Sequence, residues 1–330
     1  MNDGITGGQN SNEKLNLETG IGESGRLVQS VLNSRAACGG IGELAAYLSK
    51  STGKGVRTRL LLSAAMDENS LVPRKAAFAA AAVELLHMAT LVHDDVIDDA
   101  DTRRGRATLH KEFGNRNAIL CGDYLLSMSL TMLADMGIDE TLSRTPFVIR
   151  FAKTLASICQ GEYSQHRHSG NVDLAVLTYL RVISGKTAAL FYVSAFMGAL
   201  IGEETEEAAL ALGNFGRQMG MVFQIADDCK DYELSEQAAQ KPVGNDLRNG
   251  IVTLPLILAM RKNPGLRKHA AEAIKNQADI NSLLCEVRGA QGPAMAREVA
   301  KRFEKKAARL VSALPACKQE ALLSIIRSVM

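Results

Sequence analysis

The sequence predicts an all-α protein. Prolines number only seven in 330 residues. Long proline-free stretches rich in alanine, leucine and methionine, such as Phe147 to Lys241, favour long helices. The two-residue alternation of β-branched side chains that marks a half-buried strand is rare. No repeat of fixed period is evident. The chain therefore reads as one helical domain over residues 25–330, preceded by a flexible tail, residues 1–24, that is polar and rich in Gly, Asn and Ser.

Composition narrows the class. Hydrophobic residues make up 46% and charged residues 22%, enough for a sizeable core. A formal net charge of +2 is too balanced to make nucleic acid the main partner. The six cysteines are scattered, with no C-x-x-C pair, as expected of reduced thiols in a cytoplasmic protein. No signal peptide opens the chain. The most apolar stretch, Ala188 to Gly202, falls short of the roughly 18 residues a membrane span needs. It is read as a buried core helix, with no transmembrane segment. Turn residues place loops at Ser51 to Gly55, Asp99 to Gly105 and Asp231 to Gly250. The basic run from Arg261 to Arg309 is read as the solvated face of C-terminal helices.

Two aspartate clusters carry the chemistry. The first reads His93-Asp94-Asp95-Val96-Ile97-Asp98-Asp99 and the second Gln224-Ile225-Ala226-Asp227-Asp228-Cys229-Lys230-Asp231. Each contains D-D-x-x-D. On a helix the first and fifth positions share a face, about one 5.4 Å turn apart. Asp94 thus pairs with Asp98, and Asp227 with Asp231. Apolar residues precede both clusters, among them Leu85, Leu86 and Val92, then Met221, Val222 and Ile225. Carboxylates in such helices need a counter-charge. Oxygen-only donors suit a hard cation such as Mg²⁺, which keeps waters and shares its sphere with phosphate oxygens. A solvated acidic helix end and a carboxylate acid/base pair are the competing readings of a single cluster. Neither explains two clusters together with the cations that follow.

Asp101-Thr102-Arg103-Arg104-Gly105 comes directly after the first cluster. Adjacent arginines on a loop point in different directions and can contact two anions, and their planar forks suit phosphate oxygens. Gly53-Lys54-Gly55-Val56-Arg57 adds two cations beside flexible glycines. Lys186-Thr187 borders the apolar stretch, where the lysine either snorkels to the surface or pairs with an anion. His87 and His93 lie on the first aspartate helix, and His93 reads as a packed core residue. No zinc-ligand spacing is present.

Taken together and in order, these residues resemble the trans-prenyl diphosphate synthase family. The matching strings are GKGVR, ELLHMATLVHDDVIDDADTRRG, GDYLL, QGEYSQ, SGKTAALF, FQIADDCKDY and KPVGNDLRNGIVTLPLI, over residues 50–260 or so. The resemblance implies a single bundle of long helices around a deep cavity, usually in a homodimer. It implies that Asp94, Asp98 and Asp227 ligate Mg²⁺, with Asp95, Asp228 and Asp231 in support. It implies that Arg103, Lys186 and Lys241 grip an allylic diphosphate, while Lys54, Arg57, His87 and Arg104 hold isopentenyl diphosphate. Thr187 and Gln224 are placed near the developing carbocation. Departures from the family pattern include Thr52, Gly55, Thr58 and Gln240, and Ile251 where many relatives carry lysine.

Product length is read from Ala89 and Thr90, about one turn before Asp94. Family members that stop at farnesyl length carry bulky aromatics at one or both positions. Small residues here, with Ala79 to Ala82 deeper on the same helix, predict an open tunnel or, for the deeper set, close helix packing. The expected activity is that of a prenyltransferase making a hexaprenyl-to-decaprenyl diphosphate for a quinone side chain. The alternatives are a geranylgeranyl diphosphate synthase, a terpene cyclase of similar fold, or dependence on a small partner subunit. A cyclase has no use for the second cationic set.

Overall fold

The structure, a computed structural model, describes residues 13–34, 40–50, 53, 55–136, 147–233, 244–276 and 278–330. Lys54 and Lys241 lie outside the described residues. Among the described residues, strands amount to two short antiparallel pairs and the remaining regular structure is helical, as the sequence predicts. The chain divides into two compact units. One comprises Met1–Ala152, Val193–Gly213 and Ala313–Ile325; the other comprises Lys153–Tyr192, Asn214–Ser312 and Ile326–Met330.

The first unit begins earlier than the composition suggests. Strand β1 (Lys14–Asn16) pairs with β2 (Leu71–Pro73), Lys14 opposite Pro73. Helix α1 (Leu17–Asn33) follows at once, its N-terminus capped by the Asn16 carboxamide, which accepts from the Thr19 amide at 2.8 Å. The expected tail over residues 1–24 is therefore wrong from Lys14 onward. Partners more than fifty residues away order this segment, and no local composition reports them. The glycines that suggested disorder are packing residues in part: a Cβ at Gly20 would lie 3.1 Å from Val72 Cγ2.

Helices α2 (Ile41–Leu48), α3 (Val56–Ala65), α4 (Arg74–Ile97), α5 (Leu109–Phe113) and α6 (Asn115–Asp135) complete the body of this unit. Ala79 to Ala82 on α4 are all at 0% exposure, which assigns these small side chains to close packing. Ser129 of α6 donates to the Ala82 carbonyl at 2.6 Å. Gly122, also on α6, makes room for His93; a Cβ there would stand 2.6 Å from its Cδ2. His93 Nε2 lies 3.2 Å from the Ile119 carbonyl and 3.5 Å from Asp123 Oδ1, with its side chain 31% exposed, so the expected core histidine is only half-buried. The Asp99–Gly105 loop holds a tight hairpin, Thr102–Arg103 against Arg106–Ala107, turned by Arg104 at φ 53° and Gly105 at φ 75°.

The second unit contains most of α7 (Phe147–Arg167), all of α8 (Val176–Ile183), and most of α10 (Glu206–Glu233). Between α8 and α9 (Ala189–Ile201) the backbone widens into a π-helical turn, Ser184–Ala188. A short helical turn, α11 (Asn245–Arg248), follows α10, and four further helices lie between Leu254 and Leu310. Ile225, Cys229, Tyr232, Leu247, Leu254 and Leu283 are buried in the core of this unit.

The expectation of no segment long enough to cross a membrane needs correction. The π turn joins the apolar stretch to the helix before it, making a helical run from Val176 to Ile201 of 26 residues. By length and composition this run, α4 and α6 could each cross a membrane. The most apolar window of the 26-residue run is 72% buried inside the protein, that of α4 61% and that of α6 39%.

Candidate active site

In the first unit, Asp94 and Asp95 sit in the last turn of α4 and Asp98 caps it. The Asp98 amide donates to the Asp94 carbonyl at 2.8 Å, so the expected one-turn spacing holds. The three carboxylates have different surroundings. Asp95 is buried at 6% exposure. Its two oxygens lie 2.8 and 2.9 Å from Arg103 Nε, and Arg103 Nη2 approaches to 2.7 Å. Asp98 is exposed and Asp94 half-buried. The paired arginines diverge as predicted. Arg103 turns to Asp95, while Arg104 lies beside Gly53 and Glu84: a Cβ at Gly53 would be 3.2 Å from Arg104 Nη2 and 3.4 Å from Glu84 Oε1.

Around Glu84 the basic residues cluster. Arg57 Nη1 donates to His87 Nε2 at 3.1 Å. Burial pulls the Arg57 guanidinium down to about 10, against the opposing charge of Glu84. Burial and then Arg57, Arg104 and Arg103 hold His87 well below the usual imidazole range. His87 is therefore the neutral acceptor that the Arg57 geometry requires. Burial raises Glu84, and the two arginines oppose that rise. One turn further on, Thr90 Oγ1 donates to the His87 carbonyl at 2.8 Å. Ala89 is 2% exposed.

In the second unit the π turn presents Lys186 and Thr187. Lys186 pairs with Glu162 on α7, Nζ to Oε2 at 2.6 Å, which decides for an anion partner over snorkelling. The close approach depends on Gly161. A Cβ there would sit 2.8 Å from Lys186 Cα and 2.9 Å from the Gly185 carbonyl carbon. π turns of this kind are frequent at functional sites. Thr187 Oγ1 donates to Gln224 Oε1 at 2.7 Å, Gln224 Nε2 donates to Asp228 Oδ1 at 2.7 Å, and the Tyr179 hydroxyl donates to Asp228 Oδ2 at 2.5 Å.

The second aspartate cluster repeats the division seen in the first. Asp227 is exposed and Asp228 is 3% exposed, with both oxygens bound by protein donors. Asp231 accepts from the amides of Asn245 and Asp246 at 3.2 and 3.0 Å, which fastens α11 to the end of α10. Burial, and the mutual repulsion of these carboxylates, pushes Asp228 up to about 7 and raises Asp231. Asp246 rises for the same reasons, with Lys186 opposing. Ile251 follows directly, its amide bonded to the Asp246 carbonyl at 2.7 Å.

Residues 40–287 match the polyprenyl synthetase family. The chain belongs to that family. It is a prenyltransferase with the all-α isoprenoid synthase fold. It is 37% identical over 289 residues to the heptaprenyl diphosphate synthase component 2 of Geobacillus stearothermophilus, an alignment covering 86% of this chain and 87% of that one. It is 33% identical over 295 residues to the octaprenyl diphosphate synthase of Haemophilus influenzae, covering 86% of each. The crystal structure of heptaprenyl diphosphate synthase from Staphylococcus aureus superposes with a TM-score of 0.87 at 31% identity, over 96% of this chain and 98% of that one.

Several residues that sequence reasoning passed over contact the expected site residues: Glu84, Glu162, Tyr179, Asp246 and Gly161. Glu84 and Glu162 lie inside quoted family strings and could have been singled out there. Tyr179 carries no local signal, since its importance comes from a residue 49 positions away.

Proposed function

We propose that this prenyltransferase condenses an allylic diphosphate with successive molecules of isopentenyl diphosphate to give a long all-trans polyprenyl diphosphate, a quinone side-chain precursor. The observation that carries the reading is the cluster of Arg57, His87 and Arg104, set around Glu84 and apart in kind from the aspartate clusters. Two arginines and a neutral histidine, with a single glutamate among them, suit a second diphosphate, which a terpene cyclase does not need. The heptaprenyl and octaprenyl names of the relatives favour a long product over geranylgeranyl diphosphate. Small Ala89 and Thr90 agree with that choice, as positions past which a growing chain passes.

The donor set fits Mg²⁺. Burial and then the crowding of carboxylates raise Asp228, Asp231 and Asp246, with Lys186 opposing the rise at Asp246. A hard divalent cation meets that imbalance. Among the described residues no three side chains of His, Cys, Asp or Glu are placed to hold a metal by themselves. Mg²⁺ takes one or two carboxylates and completes its sphere with phosphate and water. Asp94 and Asp98 in the first unit, and Asp227 in the second, carboxylates that solvent reaches, would hold such ions. When bound, they supply charge neutralisation on the leaving diphosphate.

The remaining residues take roles that follow from their contacts. Lys186, oriented by Glu162, grips the allylic diphosphate, and Lys241 assists. Arg103 contributes by fixing Asp95 and by its own remaining donors. Lys54, Arg57, neutral His87 and Arg104 orient isopentenyl diphosphate so that its double bond meets the allylic cation. Thr187 and Gln224 present oxygen dipoles to that cation. No side-chain nucleophile is needed. Both units act as one catalytic domain in this reading, which the family match across residues 40–287 supports. The five free cysteines among the described residues agree with a cytoplasmic setting. Ile119 and Leu120 on α6, 44% and 49% exposed, suit a homodimer contact, and the "component 2" name of a relative keeps a small partner subunit in view.

The test is a product assay with labelled isopentenyl diphosphate, farnesyl diphosphate and Mg²⁺, the dephosphorylated products being separated by length. Long polyprenols, lost in Asp94→Ala and Asp227→Ala, are expected. Geranylgeraniol alone would overturn the long-chain reading. No incorporation, with or without a candidate partner subunit, would overturn the reaction.

A further inference from the structure

Thr187, Gln224, Asp228 and Tyr179 form an unbroken hydrogen-bonded chain within the second unit, with links of 2.7, 2.7 and 2.5 Å. A carboxylate can only accept. Asp228 Oδ1 therefore takes the Gln224 amide nitrogen, and this fixes which end of the carboxamide faces which way. The Gln224 carbonyl oxygen is left to accept from Thr187. The Thr187 hydroxyl, having spent its one proton on Gln224, has only lone pairs left to offer another neighbour. The far end of the chain is the Tyr179 hydroxyl, on a side chain at 3% exposure, which holds the second oxygen of a carboxylate that is itself 3% exposed.

We propose that Tyr179 is a positioning residue for the ionisation step: acting through Asp228, it sets the Gln224 amide so that Gln224 and Thr187 turn oxygen lone pairs, and no N–H, toward the forming allylic cation. The inference rests on the proposed prenyl transfer. It gives Asp228 a task other than holding metal, although it stands in a D-D-x-x-D cluster. Loss of the tyrosine hydroxyl leaves a buried carboxylate with one donor fewer. That carboxylate, anchored at one oxygen only, can turn away from Gln224, and the amide, no longer fixed, can reverse and point its N–H groups at the cation. The reversal penalises the transition state and leaves diphosphate binding untouched.

The experiment is a double-mutant cycle of Tyr179→Phe and Gln224→Leu, reading kcat, KM for both substrates, the Mg²⁺ midpoint and the melting temperature. Tyr179→Phe is expected to lower kcat about 100-fold, the lower end of what loss of one preorganised dipole costs, with both KM values and the Mg²⁺ midpoint within about twofold of wild type. In the Gln224→Leu background the same change is expected to cost less than about threefold, because no amide remains to orient. An equal loss in both backgrounds would make Tyr179 merely structural and overturn the proposal, as would a shifted Mg²⁺ midpoint or an unchanged kcat in the single variant. A wild-type protein that forms no prenyl product would remove the reaction itself, an outcome distinct from either.

Discussion

Gly161→Ala tests how closely the π turn must approach α7. The added Cβ would stand 2.8 Å from Lys186 Cα and 2.9 Å from the Gly185 carbonyl carbon. Non-bonded carbons pack at about 3.5–4.0 Å. Both close neighbours are backbone, so no side chain can rotate away, and the two segments must part by about 1 Å. Overpacking of this kind costs about 1–3 kcal/mol, and a backbone-to-backbone clash puts this site near the upper end. At about 2 °C per kcal/mol for a chain of this size, the melting temperature should fall by about 6 °C. The functional cost should be larger than the stability cost implies. The displaced segment carries Lys186 and Thr187, and a 1 Å misplacement of catalytic groups lowers rates by about 100-fold. Thermal melting and initial-rate incorporation of labelled isopentenyl diphosphate, measured well below the melting range, report the two effects separately. A Gly161→Ala protein that melts and turns over like wild type would refute both the packing and the claim that Lys186 must be held in place.

Gly198→Ala is the matching control: its Cβ would stand 3.0 Å from Ala64 Cβ and nearer still to the Leu61 carbonyl oxygen, away from the proposed chemistry. It should lower the melting temperature by several degrees, about 2 °C for each kcal/mol, while kcat below the melting range stays near wild type. Ala89→Phe should shorten the product toward farnesyl or geranylgeranyl length while condensation persists, as read by polyprenol chromatography; an unchanged length distribution would rule out passage of the chain past Ala89. His87 is held well below 6.5 in the folded protein, so below that pH the unfolded chain binds the additional proton. Its contribution is intact above pH 6.5 and is lost as pH falls, by up to about 1.4 kcal/mol per pH unit. Urea titrations between pH 7 and 5 should show a flatter decline in His87→Gln than in wild type.

The helical class, both aspartate clusters and the divergence of Arg103 from Arg104 were legible in the sequence, because each depends on spacing within a few residues. The spacing of D-D-x-x-D did not reveal that its second aspartate is the one withdrawn from solvent. Asp95 owes its burial to a hairpin that brings Arg103 back eight residues later, and Asp228 owes its own to Tyr179 on another helix. Contacts between distant segments account for the other departures too. The pairing of Lys14–Asn16 with Leu71–Pro73 turns a Gly-, Asn- and Ser-rich stretch from expected tail into strand and helix. The continuity of Val176 with Ile201 was hidden because Ser184-Gly185 reads locally as an interruption, whereas the backbone absorbs it as a wider turn.

That wider turn has a consequence for insertions and deletions. A π turn holds one residue more than the α-helical geometry it interrupts. Removing Gly185 from the five residues Ser184 to Ala188 would let the run close into a regular helix, with the flanking segments on about their present faces, because the wider turn had absorbed the extra residue locally. Tyr179 would keep its direction toward Asp228, while Lys186 and Thr187 would lose the wider turn that presents them. The count of residues from Ser184 to Ala188 is thus as much a part of the site as their identity, and this length variant would lose function with Tyr179, Lys186, Thr187 and Asp228 all present.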